Sequence, residues 1–191
     1  MYETRIPTDL RTIRGRAVPP PSTLHEIHRS VAALMARGPD DARDYLYRYD
    51  RGVLRIRTET PRDWIDGWAP VREFPVGARI VLHASIRLDP SSRGSDQRSI
   101  AAPKNWRDPG PLNDRLRRML ASVMRIDDLV VDVGMTMDIG KPGHRVLATP
   151  IDVFAVGDVT DAEALRALVR NGLGRGKAYG FGMADVKEVR S

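Results

Sequence analysis

Residues 78–88, Ala-Arg-Ile-Val-Leu-His-Ala-Ser-Ile-Arg-Leu, decide the architecture. Ile80, Leu82, Ala84, Ile86 and Leu88 alternate with Val81, His83, Ser85 and Arg87, the period of two that sends successive side chains to opposite faces of a sheet. A long strand therefore opens the second part of the chain. A polar loop from Asp89 to about Pro111 follows, and then an amphipathic helix built on Leu112, Leu116, Met119, Leu120 and Val123. Residues 129–139 alternate again through Leu129, Val131, Val133, Met135, Met137 and Ile139, and a Gly140-Lys141-Pro142-Gly143 turn leads into a strand to about 156. Thr160 and Glu163 are read as the cap of a helix that ends at Asn171-Gly172, and a last strand is expected over 181–189. The order is βαββαβ.

Working back toward the N-terminus, the same order appears. Residues 2–8 form a first strand, and Pro19-Pro20-Pro21 interrupts regular structure before a helix. Thr23 and Glu26 make a capping box, and Leu24, Ile27, Val31, Leu34 and Met35 fall on one helical face, which predicts a helix over about 23–36. Tyr45–Asp50, an Arg51-Gly52 turn and Val53–Glu59 read as a β-hairpin, followed by a short helical piece near 62–68 and a short strand near 71–74. The expected fold is α+β, two tandem ferredoxin-like (RRM-like) βαββαβ domains covering 1–76 and 77–191. No sequence repeat links the halves; the duplication lies in element order.

The 191 residues carry a net charge of +6 and a pI near 10.0 with only four lysines, so the basicity is almost wholly arginine. Arginine forks match phosphates and stack on bases, which points toward nucleic acid, although high pI and arginine usage also arise without such a partner. With no cysteine there is no disulfide, thiolate nucleophile or cysteine zinc site, and a reducing cytoplasm is the expected location. The N-terminus lacks an apolar signal core and no stretch of about 18 apolar residues occurs, so no membrane partner is expected.

Two constellations carry chemistry. His25 and His28, three residues apart on the predicted helix, lie on one flank of its apolar stripe and can face one ligand together. In the first turn the helix dipole opposes protonation of His25 and keeps an imidazole available as a base. A zincin motif fails because position 29 is Arg, Glu26 reads as a cap, and ordinary half-buried histidines or a metal site with a remote carboxylate are the competing readings. The second constellation is Gly172-Leu-Gly174-Arg175-Gly176-Lys177-Ala-Tyr-Gly180-Phe-Gly182, where glycines let backbone N–H groups approach an anionic chain and Arg175 and Lys177 supply charge. Ala178 after Lys177 rules out a P-loop, and the helix-loop-strand order rules out a dinucleotide fingerprint.

Basic residues elsewhere complete an expected RNA-binding surface: Arg115, Arg117 and Arg118 on the second unit's first helix, and Lys141 and Arg145 at the turn beside His144. Tyr45, Tyr47 and Tyr49 share a strand face and either stack on bases or pack the core, the latter being the default. Arg55 and Arg57, like His83 with Arg79, Ser85 and Arg87, are read as solvated faces or, more sharply, as RNA-facing ones.

Together these residues resemble the CasE-type CRISPR precursor-RNA endoribonucleases of type I-E systems, within the Cas repeat-RNA-processing superfamily. The resemblance rests on the opening Met-Tyr strand, Leu24–Val31, Asp41-Ala42-Arg43-Asp44-Tyr45-Leu46, and the pattern G-x-G-x-x-K-x-x-G-x-G at Gly172, Gly174, Lys177, Gly180 and Gly182. It implies a metal-independent, cofactor-free enzyme that cuts at the base of a CRISPR repeat RNA hairpin, leaves a cyclic phosphate-type end, and stays bound to the crRNA beside other Cascade subunits. It also implies a catalytic histidine at His28, with His25 where the family often has tyrosine. Chemically, two imidazoles can remove the 2′-hydroxyl proton and protonate the departing 5′-oxygen, while Lys177, Arg145 or Arg175 offsets charge on the phosphorane. No carboxylate cluster for a two-metal mechanism stands out. A non-catalytic RNA-binding subunit of a ribonucleoprotein and a module binding a small anionic metabolite remain the alternatives.

Overall fold

A computed structural model of the chain describes residues 1–7, 24–38, 43–50, 52–88, 110–139, 143, 146–174 and 176–189. The first sheet contains β1 (Tyr2–Pro7), β2 (Tyr45–Asp50), β3 (Val53–Thr58) and β4 (Ala69–Pro70), with α1 (Leu24–Met35) between β1 and β2. The second contains β5 (Arg79–Leu88), β6 (Met124–Val133), β7 (Met137–Asp138), β8 (Leu147–Val159) and β9 (Ala184–Glu188), with α2 (Gly110–Leu120) and α3 (Ala162–Asn171). Both sheets are antiparallel. Their orders are β2-β3-β1-β4 and β6-β8-β5-β9, with the short β7 paired to β8 off that path; with β7 left out of the numbering, both read second-third-first-fourth within their unit. This is the tandem ferredoxin-like arrangement expected from the element order.

The strand that opens the second unit behaves as its alternation dictates. Ile80, Leu82, Ala84 and Ile86 are fully buried and pack with Leu112, Leu116 and Leu120 of α2, Leu165 and Val169 of α3, and Ile151, Val153 and Ala155 of β8. In the first unit Ile27, Val31 and Met35 of α1 cover Ile6, Leu54 and Ile56 of the sheet. Burying such apolar side chains contributes about 1.5–3 kcal/mol each and anchors α1 on the sheet.

Several boundaries differ from expectation, each for a local reason. Residues 62–68 form no helix: the fully buried Arg62 donates from Nε to Met35 O at 2.8 Å, from Nη1 to Thr60 O at 2.6 Å and from Nη2 to Asp44 Oδ1 at 2.7 Å, so its surroundings fix an irregular path. The fourth strand is Ala69–Pro70 rather than 71–74, pairing with Tyr2 and Glu3 of β1. The strand expected at 129–139 starts at Met124 and ends at Val133, with a bulge between Ile126 and Asp128. Gly157 permits that bulge, since a Cβ there would lie 1.9 Å from Arg125 O. Met135 and Met137 are consequently exposed rather than in the core. The α3 cap is Asp161, whose Oδ1 accepts from Ala164 N at 2.9 Å, in place of Thr160. The last strand begins at Ala184 instead of 181, because Gly182 takes a left-handed φ of 85°. The expected caps and turns at Thr23, Arg51 and 140–142 lie outside the described residues, and among those described no helix is long and apolar enough to cross a membrane.

The two sheets meet through charge. Asp185 on β9 accepts from Arg55 at 2.6 and 2.7 Å and from Arg48 at 3.4 Å; Glu3 on β1 accepts from Arg55 and Arg57, each at 2.7 Å. Arg57 also donates to Ala184 O at 2.7 Å and Val169 O at 3.2 Å. Arg55 and Arg57 therefore face the other unit, where carboxylates and carbonyls take up their hydrogen bonds, rather than forming a solvated face. His83 is likewise occupied, stacked on Phe154 at 4.2 Å and bonded to Arg48 and Asp152 at 3.2 Å each.

Candidate functional site

Helix α1 presents His25 and His28 on one flank because three residues make nearly one turn, while Ile27 and Val31 anchor the opposite stripe. Both imidazoles are half-buried. The helix start is held by the second unit: Leu24 packs against a small core of Ile139, Ala148 and Phe181, to which Tyr179 and Val146 also contribute. His28 thus comes to lie beside the glycine-rich loop, its ring 5.9 Å from that of Tyr179 and tilted by 48°. Its Nδ1 is buried without a hydrogen-bond partner among the described residues.

The loop closes on itself before it reaches the helix. Leu173 N donates to Gly182 O at 2.7 Å, and Gly182 N donates to Ser85 O at 2.6 Å. A Cβ on Gly172 would lie 2.7 Å from Gly182 O, and one on Gly182 would lie 2.4 Å from Leu173 O; both residues have positive φ. Only glycine fits this crossing. Between the crossing points Lys177–Tyr179 form a turn of 3₁₀ helix. The N–H groups of Gly172, Gly180 and Gly182 donate to Leu168 O, Lys177 O and Ser85 O, so the expected cradle of glycine N–H groups is corrected at these three positions: their hydrogens are used inside the protein. Gly174 lies against Ile86, and Gly176 against Phe181 and Arg87.

Strand β2 fixes the turn from the other side. Tyr47 is buried in the first unit's core with Tyr45 and Tyr49 packed around it, and its hydroxyl donates to Ala178 O at 2.6 Å. Tyr47 is a core residue, and Tyr45 and Tyr49 pack half-buried against that core, the default role expected for the three. Arg43, just before β2, donates from Nη2 to Lys177 O at 2.6 Å and from Nε to Tyr45 O at 3.1 Å.

Electrostatics follow from this crowding. Burial, then the positive charge of Arg43, then His25, lower the His28 pKa, so the ring favours its neutral form. Burial and Arg43 also lower the Lys177 pKa. The neighbouring Asp44 is occupied by Arg62, whose hydrogen bonds and charge outweigh burial and hold that carboxyl below its usual range. The described part of the site therefore combines a neutral-leaning imidazole, a second imidazole and two cationic side chains, groups able to move protons and to offset negative charge. Among the described residues no group of three or more His, Asp or Glu side chains could hold a metal ion.

Of the residues singled out from sequence, His25, His28 and Lys177 belong to elements that meet. Arg115, Arg117 and Arg118 stand apart on α2, with Arg117 and Arg118 exposed and Arg117 Nη1 3.4 Å from Ile126 O. Lys141, His144, Arg145 and Arg175 lie outside the described residues. Sequence reasoning did not single out Tyr179 or Arg43. The one lies inside the glycine pattern, just before Gly180, and the other sits in the 41–46 run that carried the family resemblance.

Comparison with known proteins adds three solved structures. Cas6e from Escherichia coli K-12 superposes with a TM-score of 0.69 at 16% identity, covering 99% of this chain and 100% of that one. The CRISPR endoribonuclease Cse3 bound to a 19-nt RNA gives 0.69 at 20% identity, with 98% and 100% covered. A chain of a CRISPR RNA-guided surveillance complex gives 0.70 at 17% identity, with 99% and 100% covered. No curated protein matches in sequence. The chain thus has, end to end, the fold of Cas6e and Cse3, and its residues 127–187 match the family model described as CRISPR associated protein.

Proposed function

We propose that this chain is a CRISPR endoribonuclease. It binds the hairpin of a repeat RNA, cuts precursor crRNA without a metal ion, and remains on the mature crRNA as a subunit of Cascade in the cytoplasm. The observation that carries the reading is the meeting of the His25/His28 flank with the Lys177 turn, on a fold shared along its whole length with an RNA-bound endoribonuclease. Residues 1–76 supply the histidine helix, and 77–191 supply the glycine loop and the basic helix.

In this mechanism the neutral His28 ring takes the proton of a 2′-hydroxyl as that oxygen attacks the adjacent phosphorus. Burial and Arg43 favour the neutral form. The P–O5′ bond breaks, His25 in its imidazolium form, not the base suggested by its place in the first turn, gives a proton to the departing 5′-oxygen, and the products are a 2′,3′-cyclic phosphate and a 5′-hydroxyl. Lys177 offsets charge on the phosphorane oxygens. Arg115, Arg117 and Arg118 on α2, with Lys141, Arg145 and Arg175, hold hairpin phosphates. Gly172, Gly174, Gly176, Gly180 and Gly182 give the loop the shape that RNA meets.

Single-turnover cleavage of a cognate repeat RNA in EDTA tests this. Wild type should cut, and His28→Ala should lose about 10²- to 10⁴-fold in rate while keeping hairpin affinity within a few-fold. Wild-type cleavage abolished by chelation, or His28→Ala cutting at the wild-type rate, would refute the mechanism.

A further inference from the structure

We propose that Arg43 acts beside Lys177 as a second fixed cation of the cleavage site, one that ties down the Lys177 turn through its main chain and presents its remaining guanidinium edge to the scissile phosphate. The inference rests on the nuclease reading above and adds a residue to it. Arg43 is exposed, yet its position is fixed on three sides: Nε by Tyr45 O, Nη2 by Lys177 O, and its flat face by the rings of Tyr45 and Tyr47 at 5.0 and 5.8 Å. A planar fork held this way suits a phosphate better than a mobile ammonium does, because its direction is set before the ligand arrives.

Its neighbours also call for an anion. Arg43 repels a proton on His28 and on Lys177, and His28 is faced as well by His25 from its own helix and by Tyr179 from the turn. Arg43 and Lys177 line one open cavity of about 450 Å³ together with Arg170. The two carboxylates of that cavity have other partners: Asp44 pairs with Arg62 at 2.7 Å, and Glu59 lies 3.8 Å from the N-terminal ammonium. Like charges brought together cost free energy unless a ligand compensates them, and a phosphodiester does so at this point.

Arg43→Ala and Arg43→Lys are the variants, read in three ways. Binding to a repeat RNA with a 2′-deoxy residue at the cut is followed against salt, where loss of one phosphate contact should lower the slope of log K by about one. In single-turnover cleavage Arg43→Ala should lose about 10²-fold and Arg43→Lys about tenfold, since one ammonium cannot make both carbonyl bonds and the phosphate contact. NMR titration of the His28 ring should move upward in Arg43→Ala and stay at the wild-type position in Arg43→Lys. An unchanged salt slope or a wild-type cleavage rate in Arg43→Ala overturns the proposal. A wild-type protein that binds but never cuts overturns the nuclease reading instead, and the salt slope still decides whether Arg43 meets a phosphate.

Discussion

The bond from the Tyr47 hydroxyl to Ala178 O offers a clean test of how the first unit aligns the second unit's turn. Tyr47→Phe deletes one oxygen and keeps the ring, which is 1% exposed and part of the first core, so packing is preserved. The lost bond is 2.6 Å long, and such a bond contributes about 0.5–1.5 kcal/mol net. For a chain of this size 1 kcal/mol is roughly 2–4 °C in Tm, so a fall of about 1–6 °C is expected by circular dichroism. The kinetic effect should be larger in proportion. Ala178 lies between Lys177 and Tyr179, and its carbonyl is the one that β2 grips; Arg43 still holds the carbonyl before it. A displacement of 1 Å can cost about 10²-fold, and with one of the two ties intact about a tenfold loss in single-turnover rate is expected. Equal hairpin affinity would confirm that the loss is in chemistry. If Tm falls and the rate stays within twofold of wild type, the bond holds the fold but does not align the turn. If neither changes, the bond contributes nothing and the reasoning fails at its first step.

The glycine crossing and the charged seam yield two further expectations. Gly182→Ala places a Cβ 2.4 Å from Leu173 O at a φ of 85°, and should destabilise by at least about 2 kcal/mol in urea unfolding and sharply reduce cleavage; Gly174→Ala, whose nearest contact is Ile86 at 3.6 Å, should cost only about 1 kcal/mol. Burial works to raise the Asp185 carboxyl, but Arg55, then Arg57 and Arg48, outweigh it and hold its pKa below the usual value. A depressed folded-state pKa means stability that is present above the unfolded value, about 3.9, and is lost as pH falls through the lower folded one. Wild type should therefore lose stability below about pH 4, whereas Asp185→Asn should be less stable by about 3 kcal/mol at pH 7 and show a flatter acid profile. Equal slopes for the two proteins below pH 4 would remove Asp185 from the account.

What the sequence reveals and what it hides divide along the distance between partners. Alternation in 78–88 and the stripe Ile27, Val31, Met35 are local signals of burial, and both elements form as read. Arg55 and Arg57 give the same period-two pattern whether water, RNA or another sheet covers that face. Their partner Asp185 lies 130 residues from Arg55, and nothing local marks it. Residues 62–68 mislead for a related reason. Helical propensity is weak beside a buried guanidinium that needs carbonyls from residues 35 and 60 and a carboxylate from residue 44.

The same division runs through the candidate site. His25 and His28 are visible because three-residue spacing on a helix is geometry in itself, and the glycine pattern is visible because five glycines in one loop demand unusual backbone; all five have positive φ. The purpose of the glycines is not local: at Gly172 and Gly182 they let the loop cross itself, and the N–H groups of Gly172, Gly180 and Gly182 are used on Leu168 O, Lys177 O and Ser85 O. That crossing carries Lys177 and Tyr179 to α1, and the ties from Tyr47 and Arg43 hold them there. A phosphate approaching His28 would therefore meet side chains set by the loop's shape rather than a bare backbone cradle. The distinction has a consequence for mutagenesis: replacing Lys177 or Arg43 should reduce chemistry while leaving the fold intact, whereas replacing Gly172 or Gly182 should reduce both together.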